Sequence, residues 1–359
     1  MVKTLKYLFK ERLLFIGIIT VICLFIVMVS LSHSVYWEWN YKPIGPDSFD
    51  EVQGPSTSPL YLLTVIAAIL VTFIPVYEFG FKMNKISIDQ MYSLPVKREK
   101  LYLSRLIIGF IEVMIPFTVV TVYSLFDIMK NDHFFNLIYY IPFYFSQMFM
   151  TFCVYTIISF MFTRGNSKFD GIMNIIYSIF LINILLMIVD AFVLRSENIN
   201  EAKYFLYSPM NNVAHIFDCL LGKDRYLEIY DSFKIEYLDD NIISICVYTL
   251  IAIAAFVLFI ILNKKEKAEN SMQISESWFS YRVFIPIYAA IFTSMICASG
   301  DFMIALMVIG VGGFINYVIF RRSIKIKKVD FIVLAIAFIV GAFFGLYVFR
   351  DNGANFLPF

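Results

Sequence analysis

Few residues in this chain are placed to do chemistry. Glu112 is the clearest, an ionisable side chain inside the apolar run 103–126. A carboxylate in hydrocarbon is costly and usually faces a bundle interior or a wet cavity. There it carries a proton or cation along a path, or accepts a hydrogen bond from a Tyr, Ser or Asn on a neighbouring helix. His33, His133 and His215 stand apart, with no HExxH spacing for a zinc protease. Gly222-Lys223 is followed by Asp224, so the phosphate-cradling pattern G-x-x-x-x-G-K-[ST] is missing and the chain is expected not to hydrolyse nucleotide itself. Five cysteines without a CxxC pair argue against a disulfide framework or a zinc site. GVGG at 310–313 and GAFFG at 341–345 lie in apolar runs, where small residues let helices pack closely.

A second cluster of unusual residues is DQMYSLPVKREKLYLSRLI, residues 89–107. A plain solvated turn has no use for Met91, Leu94 and Val96. Between Lys82 and Pro95, the residues Ile86, Ile88, Met91, Tyr92 and Leu94 can form an apolar face on a short helix. Pro95 closes it, because a proline disfavours helix at the preceding residue. Such a helix can dock a soluble partner or rest on lipid headgroups, and the residues alone leave those two readings level.

The elements that must hold these residues are membrane spans. The chain has 359 residues, 60% hydrophobic and 16% charged, against about 45–50% and about 25% in soluble domains. Runs of roughly 18 or more apolar residues are candidate spans. Nine are expected, at 13–31, 60–78, 103–126, 136–162, 172–194, 242–262, 284–298, 302–320 and 331–349, with Ser299-Gly300-Asp301 either a tight turn or a break that reduces the count to eight. The basic start MVKTLKYLFKER precedes an apolar run too long for a cleaved leader, so the first span is expected to stay.

Charge sets the expected orientation. With the N-terminus in the cytoplasm, the inner segments 1–12, 79–105, 163–171, 263–283 and 320–330 hold 21 of the 29 Lys and Arg, as the positive-inside rule requires. Glu78 then lies at the inner end of the second span and Asp190 near the outer end of the fifth, both within reach of an interface. Thr64, Thr72 and Thr118 are the polar residues that could line a path with Glu112, although intramembrane threonines often bond back to their own helix. Of the two large outer segments, 32–59 carries Trp37 and Trp39 at belt level and then a Pro/Gly-rich stretch read as aperiodic. Segment 195–241 contains Val213, Ile216, Phe217, Leu220 and Leu221 at helical spacing, an amphipathic helix expected to lie on the outer membrane surface or to cap the bundle.

The stretch DQMYSLPVKREKLYLSRLIIG resembles the first cytoplasmic loop of ABC type-2 transporter permeases, in which a Leu-Pro-(Val/Ile) segment followed by basic residues and Lys-Leu-Tyr-Leu joins the second and third spans. NKKEKAENS, after the sixth span, is similar to a basic segment in the Gram-positive branch of that family, and FRDNGANFLPF to its outer tail. The resemblance implies an all-α polytopic membrane protein of a bacterial cytoplasmic membrane. A six-span permease core would cover 1–262, and the linker and about three extra spans at 263–359 would depart from the family pattern. It also implies an exporter subunit with no catalytic site, whose ATP and Mg are bound by a separate ATP-binding cassette subunit, working beside a second permease subunit. Asp89, Met91, Tyr92, Ser93, Leu94, Pro95 and Val96 would lie at the ATPase contact, with Lys97, Arg98 and Lys100 flanking it. Thr72, Glu112 and Thr118 are the candidate path residues. No nucleic acid is an expected partner. The alternatives are an ion-coupled carrier working through Glu112, and a non-transporting sensor or scaffold subunit that uses 195–241 as its recognition surface.

Overall fold

The computed structural model of the chain describes residues 2–32, 37–45, 48–55, 58–93, 96–131, 137–189, 207–223, 235–275, 277, 279–298, 302–325 and 327–346. They form eleven α-helices and one hairpin: α1 Val2–Ser32, β1 Trp37–Gly45, β2 Ser48–Pro55, α2 Ser58–Phe79, α3 Lys85–Tyr92, α4 Arg98–Asn131, α5 Leu137–Thr163, α6 Lys168–Val189, α7 Ser208–Lys223, α8 Ile235–Lys264, α9 Tyr281–Ala298, α10 Phe302–Arg321 and α11 Lys328–Phe344. Among the described residues, six helices hold a segment long and apolar enough to cross a membrane, namely α1, α2, α4, α5, α8 and α10. In hydrocarbon every backbone amide must be satisfied within the segment, which is why such runs are helical. Six such segments make this a multi-pass membrane protein. Helices α6, α9 and α11 stand where the other three expected spans fall, while residues 299–301 lie outside the described ones.

The segment 32–59 differs from its reading as aperiodic. β1 and β2 pair antiparallel from Trp37 opposite Pro55 to Gly45 opposite Ser48, with an irregularity between Pro43 and Gly45. The sequence WEWNY does alternate, aromatic residues falling at 37, 39 and 41, and alternation of period two is the mark of a strand. The amphipathic helix expected within 195–241 is α7, begun by Ser208-Pro209, with Val213 buried and the Phe217 ring 5.7 Å from that of Phe143 on α5.

The helices pack as two groups. The first comprises residues 1–81, 89–160 and 202–266. In it α4 is central, meeting α1, α2 and α8, while α7 lies on α8 and α2. Phe79 of α2 stacks on Tyr102 of α4 with ring centres 6.3 Å apart, and Phe259 of α8 meets Phe79 edge-on at 5.5 Å.

The second group comprises 82–88, 161–201 and 267–359, and so includes α6 with α9, α10 and α11; α6 meets α9, and its Tyr177 reaches Asn316 of α10. Gly341 and Gly345 let α11 onto α9: a Cβ at Gly341 would lie 2.2 Å from the Ala290 carbonyl oxygen. Gly313 gives α10 the same closeness to Leu334 of α11, whereas Gly310 and Gly312 face open space. The segment after α8 is held to the α5–α6 turn. Met272 N donates to Asn166 O at 2.9 Å and Ser275 Oγ donates to Arg164 O at 2.8 Å. Arg322, with φ of 50°, reaches Met272 O at 2.8 Å and Asp170 Oδ2 at 3.0 Å. A left-handed backbone costs a side-chain-bearing residue roughly 1–2 kcal/mol, which these two bonds offset.

Candidate functional site

The first group carries a buried charge cluster at the ends of three helices. Arg12 comes from α1, Glu78 from the last turn of α2, and Arg105 and Glu112 from α4, about two turns apart on one face. Glu78 and Glu112 are wholly buried and Arg105 is 3% exposed. Arg105 Nη1 lies 3.2 Å from Glu78 Oε2 and within 3.5 Å of the Glu78 carbonyl oxygen. Arg12 Nε is 3.1 Å from Glu78 Oε1, at an angle that makes an ion pair without a hydrogen bond, and 3.9 Å from Glu112 Oε1. Both guanidinium groups also lie over aromatic rings: Arg12 over Tyr77 at 4.2 Å and Arg105 over Phe81 at 4.9 Å. Two cations and two anions leave the cluster neutral, which is the condition for tolerating such charges away from water.

Glu78, expected to reach the interface, does not. Neutralisation by two arginines replaces solvation. Glu112 is buried in the bundle, as an intramembrane carboxylate should be, but neither of its oxygens accepts a hydrogen bond among the described residues. It holds the cluster's one loose position. Gly109, one turn before Glu112, lets α5 come close: a Cβ there would lie 2.1 Å from the Tyr155 hydroxyl and 3.2 Å from Glu78 Cγ.

The cluster connects to the loop 89–107. Arg105 Nη2 lies 3.6 Å from Met91 Sδ. Tyr92 is half-buried, its hydroxyl 3.1 Å from that of Tyr102 and its ring under the Arg98 guanidinium at 4.6 Å. The expected apolar face therefore divides. Ile88 is 1% exposed and Ile86 is 71% exposed, on opposite sides of α3, because two residues on a helix differ by about 200°. The exposed side presents Ile86, Asp89, Gln90 and Ser93, with Lys97, Arg98 and Lys100 beyond it. Ser93 closes the helix, its amide donating to Asp89 O and its hydroxyl to Gln90 O. Val96 is half-buried, while Leu94 and Pro95 lie outside the described residues.

Two stretches singled out in the sequence, 89–107 and 263–271, meet in the structure. Arg98 donates to the Glu266 carbonyl oxygen, and Glu99 pairs with Lys264 at 2.9 Å. Both partners of that pair are more than a third exposed, so it contributes little to stability. Earlier in the loop, Lys82 is buried and donates to the Thr163 carbonyl oxygen.

The candidate path threonines all bond back to their own helices, and each also meets a second element. Thr72 Oγ1 is 2.6 Å from Tyr207 Oη, Thr118 Oγ1 is 2.7 Å from Tyr144 Oη, and Gln147 Nε2 donates to Thr64 Oγ1 at 3.2 Å. They tie α2, α4 and α5 together instead of standing free in a channel. Arg12, Arg105, Glu78, Gly109 and Tyr155 were not expected as site residues. Their only signal was opposite charges at the expected inner ends of three consecutive spans, matched in depth. No protein family, no curated protein and no solved structure matches this chain.

Proposed function

We propose that the chain is the membrane-spanning permease subunit of an ATP-driven exporter in a bacterial cytoplasmic membrane. In this reading its N-terminus is cytoplasmic, all nine apolar runs span, and the three beyond residue 262 are additions to a six-span core. ATP is bound and hydrolysed by a separate subunit docked at 82–100, and substrate passes between this chain and a second permease subunit. The observation that carries the reading is α3, a short helix between two spans. Its inner side packs on the chain's own residues, and its outer side exposes Ile86 among Asp89, Gln90 and Ser93. An exposed isoleucine rimmed by polar groups on a held helix supplies the anchor and hydrogen-bonding rim of a docking site.

The test is purification of the chain from its native membrane with its bound partners, followed by sequencing and assay of ATP hydrolysis. The expected partner contains G-x-x-x-x-G-K-[ST], and Ile86→Asp releases it while the permease stays folded, because that side chain touches little of its own chain. Retention of the ATPase by Ile86→Asp at wild-type stoichiometry, with ATP-driven transport intact, would sink the docking reading.

The carboxylate of Glu112, which accepts no hydrogen bond among the described residues, favours one competing reading, a carrier driven by an ion gradient. That reading requires flux in liposomes holding this chain alone, abolished by Glu112→Gln.

A further inference from the structure

The second helix group carries a groove that neither the transport reading nor the cluster uses. It runs between α10 and α11 with a volume of about 570 Å³, inside the range of roughly 300–1,000 Å³ typical of ligand pockets. All its lining residues are apolar, among them Leu306, Gly310 and Phe314 of α10 and Phe331, Leu334 and Phe338 of α11. Its floor is closed by Ile309, Ala337 and Ala289, which pack against Leu334 and Phe338. Its flanks are open: Leu306 and Phe331 are 52% and 72% exposed. At 1.5 Å per residue, the wall from Phe331 to Ile339 is about 12 Å long.

The turn joining the two helices is basic and lies at one end of this groove. Arg321 is held by Asp330 at 2.6 Å and Arg322 by Asp170 at 3.0 Å, which uses both buried carboxylates. Lys325, Lys327 and Lys328 remain exposed, in no side-chain ion pair among the described residues. Lys328 opens α11 one turn before Phe331, the first groove residue on that helix. An apolar slot between α10, a candidate span, and α11 therefore ends at three exposed lysines, which sit at headgroup depth if α11 spans as well, the point at which the inference rests on the reading above.

We propose that this groove binds one anionic phospholipid, an acyl chain along Phe331, Leu334 and Gly310 and the phosphate at Lys325, Lys327 and Lys328. Basic pockets at the ends of membrane helices hold such headgroups. A second copy of the chain fits less well. Its own lysine turn would sit at the same depth about a two-fold axis normal to the membrane, setting like charges side by side.

The test uses the full chain in detergent, titrated with phosphatidylglycerol or phosphatidylcholine and read by native mass spectrometry. Wild type is expected to retain one phosphatidylglycerol and to show no matching phosphatidylcholine adduct. Each Lys→Gln change weakens retention roughly fivefold, about a hundredfold for the triple variant K325Q/K327Q/K328Q, while the Lys→Arg triple binds like wild type. Gly310→Leu fills the slot without a clash, since nothing lies within 4 Å of its Cβ position. It should lower retention with all three lysines present. Equal retention of both lipids, or unchanged phosphatidylglycerol binding in the Lys→Gln triple or in Gly310→Leu, overturns the assignment. So does a change of oligomeric mass in Gly310→Leu without loss of lipid, which would make a second copy the occupant.

Discussion

The buried cluster makes a quantitative demand on stability. Two unit charges 3.2 Å apart, the Arg105–Glu78 separation, attract by about 5 kcal/mol at an effective dielectric constant near 20. Desolvation offsets much of that, but removing one partner leaves the other buried and costs roughly 3–5 kcal/mol. Arg105→Met leaves Arg12 with two carboxylates, and Glu78→Gln leaves two arginines with Glu112 alone. Each single variant therefore buries an odd charge. The double variant leaves Arg12 and Glu112, opposite charges 3.9 Å apart, and the cluster is neutral again. The double should accordingly be no less stable than the worse single, with an interaction term toward the upper end of the roughly 0.5–3 kcal/mol seen for coupled neighbours. Glu112→Gln is the control. It too leaves a net charge, but the carboxylate lost accepts no hydrogen bond and lies 3.9 Å from Arg12, the cluster's partly exposed member, so the cost should be smaller than that of Glu78→Gln. The free energies come from unfolding in mixed micelles of dodecyl sulfate and a mild detergent. If the two single effects add within about 0.5 kcal/mol, the four residues do not act as one neutral unit.

Two further predictions concern helix contact. Gly109→Ala should destabilise by about 1–3 kcal/mol, the usual cost of overpacking, because its Cβ would meet the Tyr155 hydroxyl; adding Tyr155→Phe should recover most of the loss in the same unfolding assay. Gly341→Leu should cost about 3 kcal/mol or more by driving α11 from the Ala290 carbonyl, while Gly312→Leu, facing open space, should stay within about 0.5 kcal/mol of wild type. Equal effects at 341 and 312 would mean that α9 and α11 do not pack through that glycine.

Apolar run length placed six of the nine expected spans on helices long and apolar enough to cross a membrane, because an unsatisfied amide in hydrocarbon costs too much for any other backbone to persist. It located their ends to within about five residues, but not where the helices themselves begin. The first span was expected from residue 13 and α1 begins at Val2; the third from 103 and α4 begins at Arg98. A hydropathy window stops where charge begins, but Lys, Glu and Arg are good helix formers and carry the helix on. The grouping of the helices met a different obstacle. That α6 packs with α9 to α11 depends on contacts such as Tyr177 Oη donating to Asn316 Oδ1 at 2.7 Å, across 139 residues of chain. No local pattern encodes such a pair. The glycine stretches were legible as packing motifs, but not which glycines pack: Gly313, Gly341 and Gly345 do, and Gly310 and Gly312 do not.

The charges were legible one at a time, but their pairings were not. Counting Lys and Arg by segment treats each as a surface group that senses the membrane potential. Arg12 and Arg105 instead turn inward to the two glutamates. A carboxylate at a span end has two ways to avoid hydrocarbon, reaching water or finding a cation, and periodicity cannot choose between them. Depth can. Arg12, Glu78 and Arg105 fall near the same expected boundary of three consecutive spans, and neighbouring antiparallel helices bring such ends together. Once paired, they are fixed by geometry as well as charge, since Arg105 also reaches the Glu78 carbonyl and Met91. Met91 and Tyr92 are thus committed to their own chain, through Arg105 and through Tyr102. A docking partner at this loop would meet Ile86, Asp89 and Gln90 first, and would reach the charge cluster only by moving the second half of α3 against Arg105.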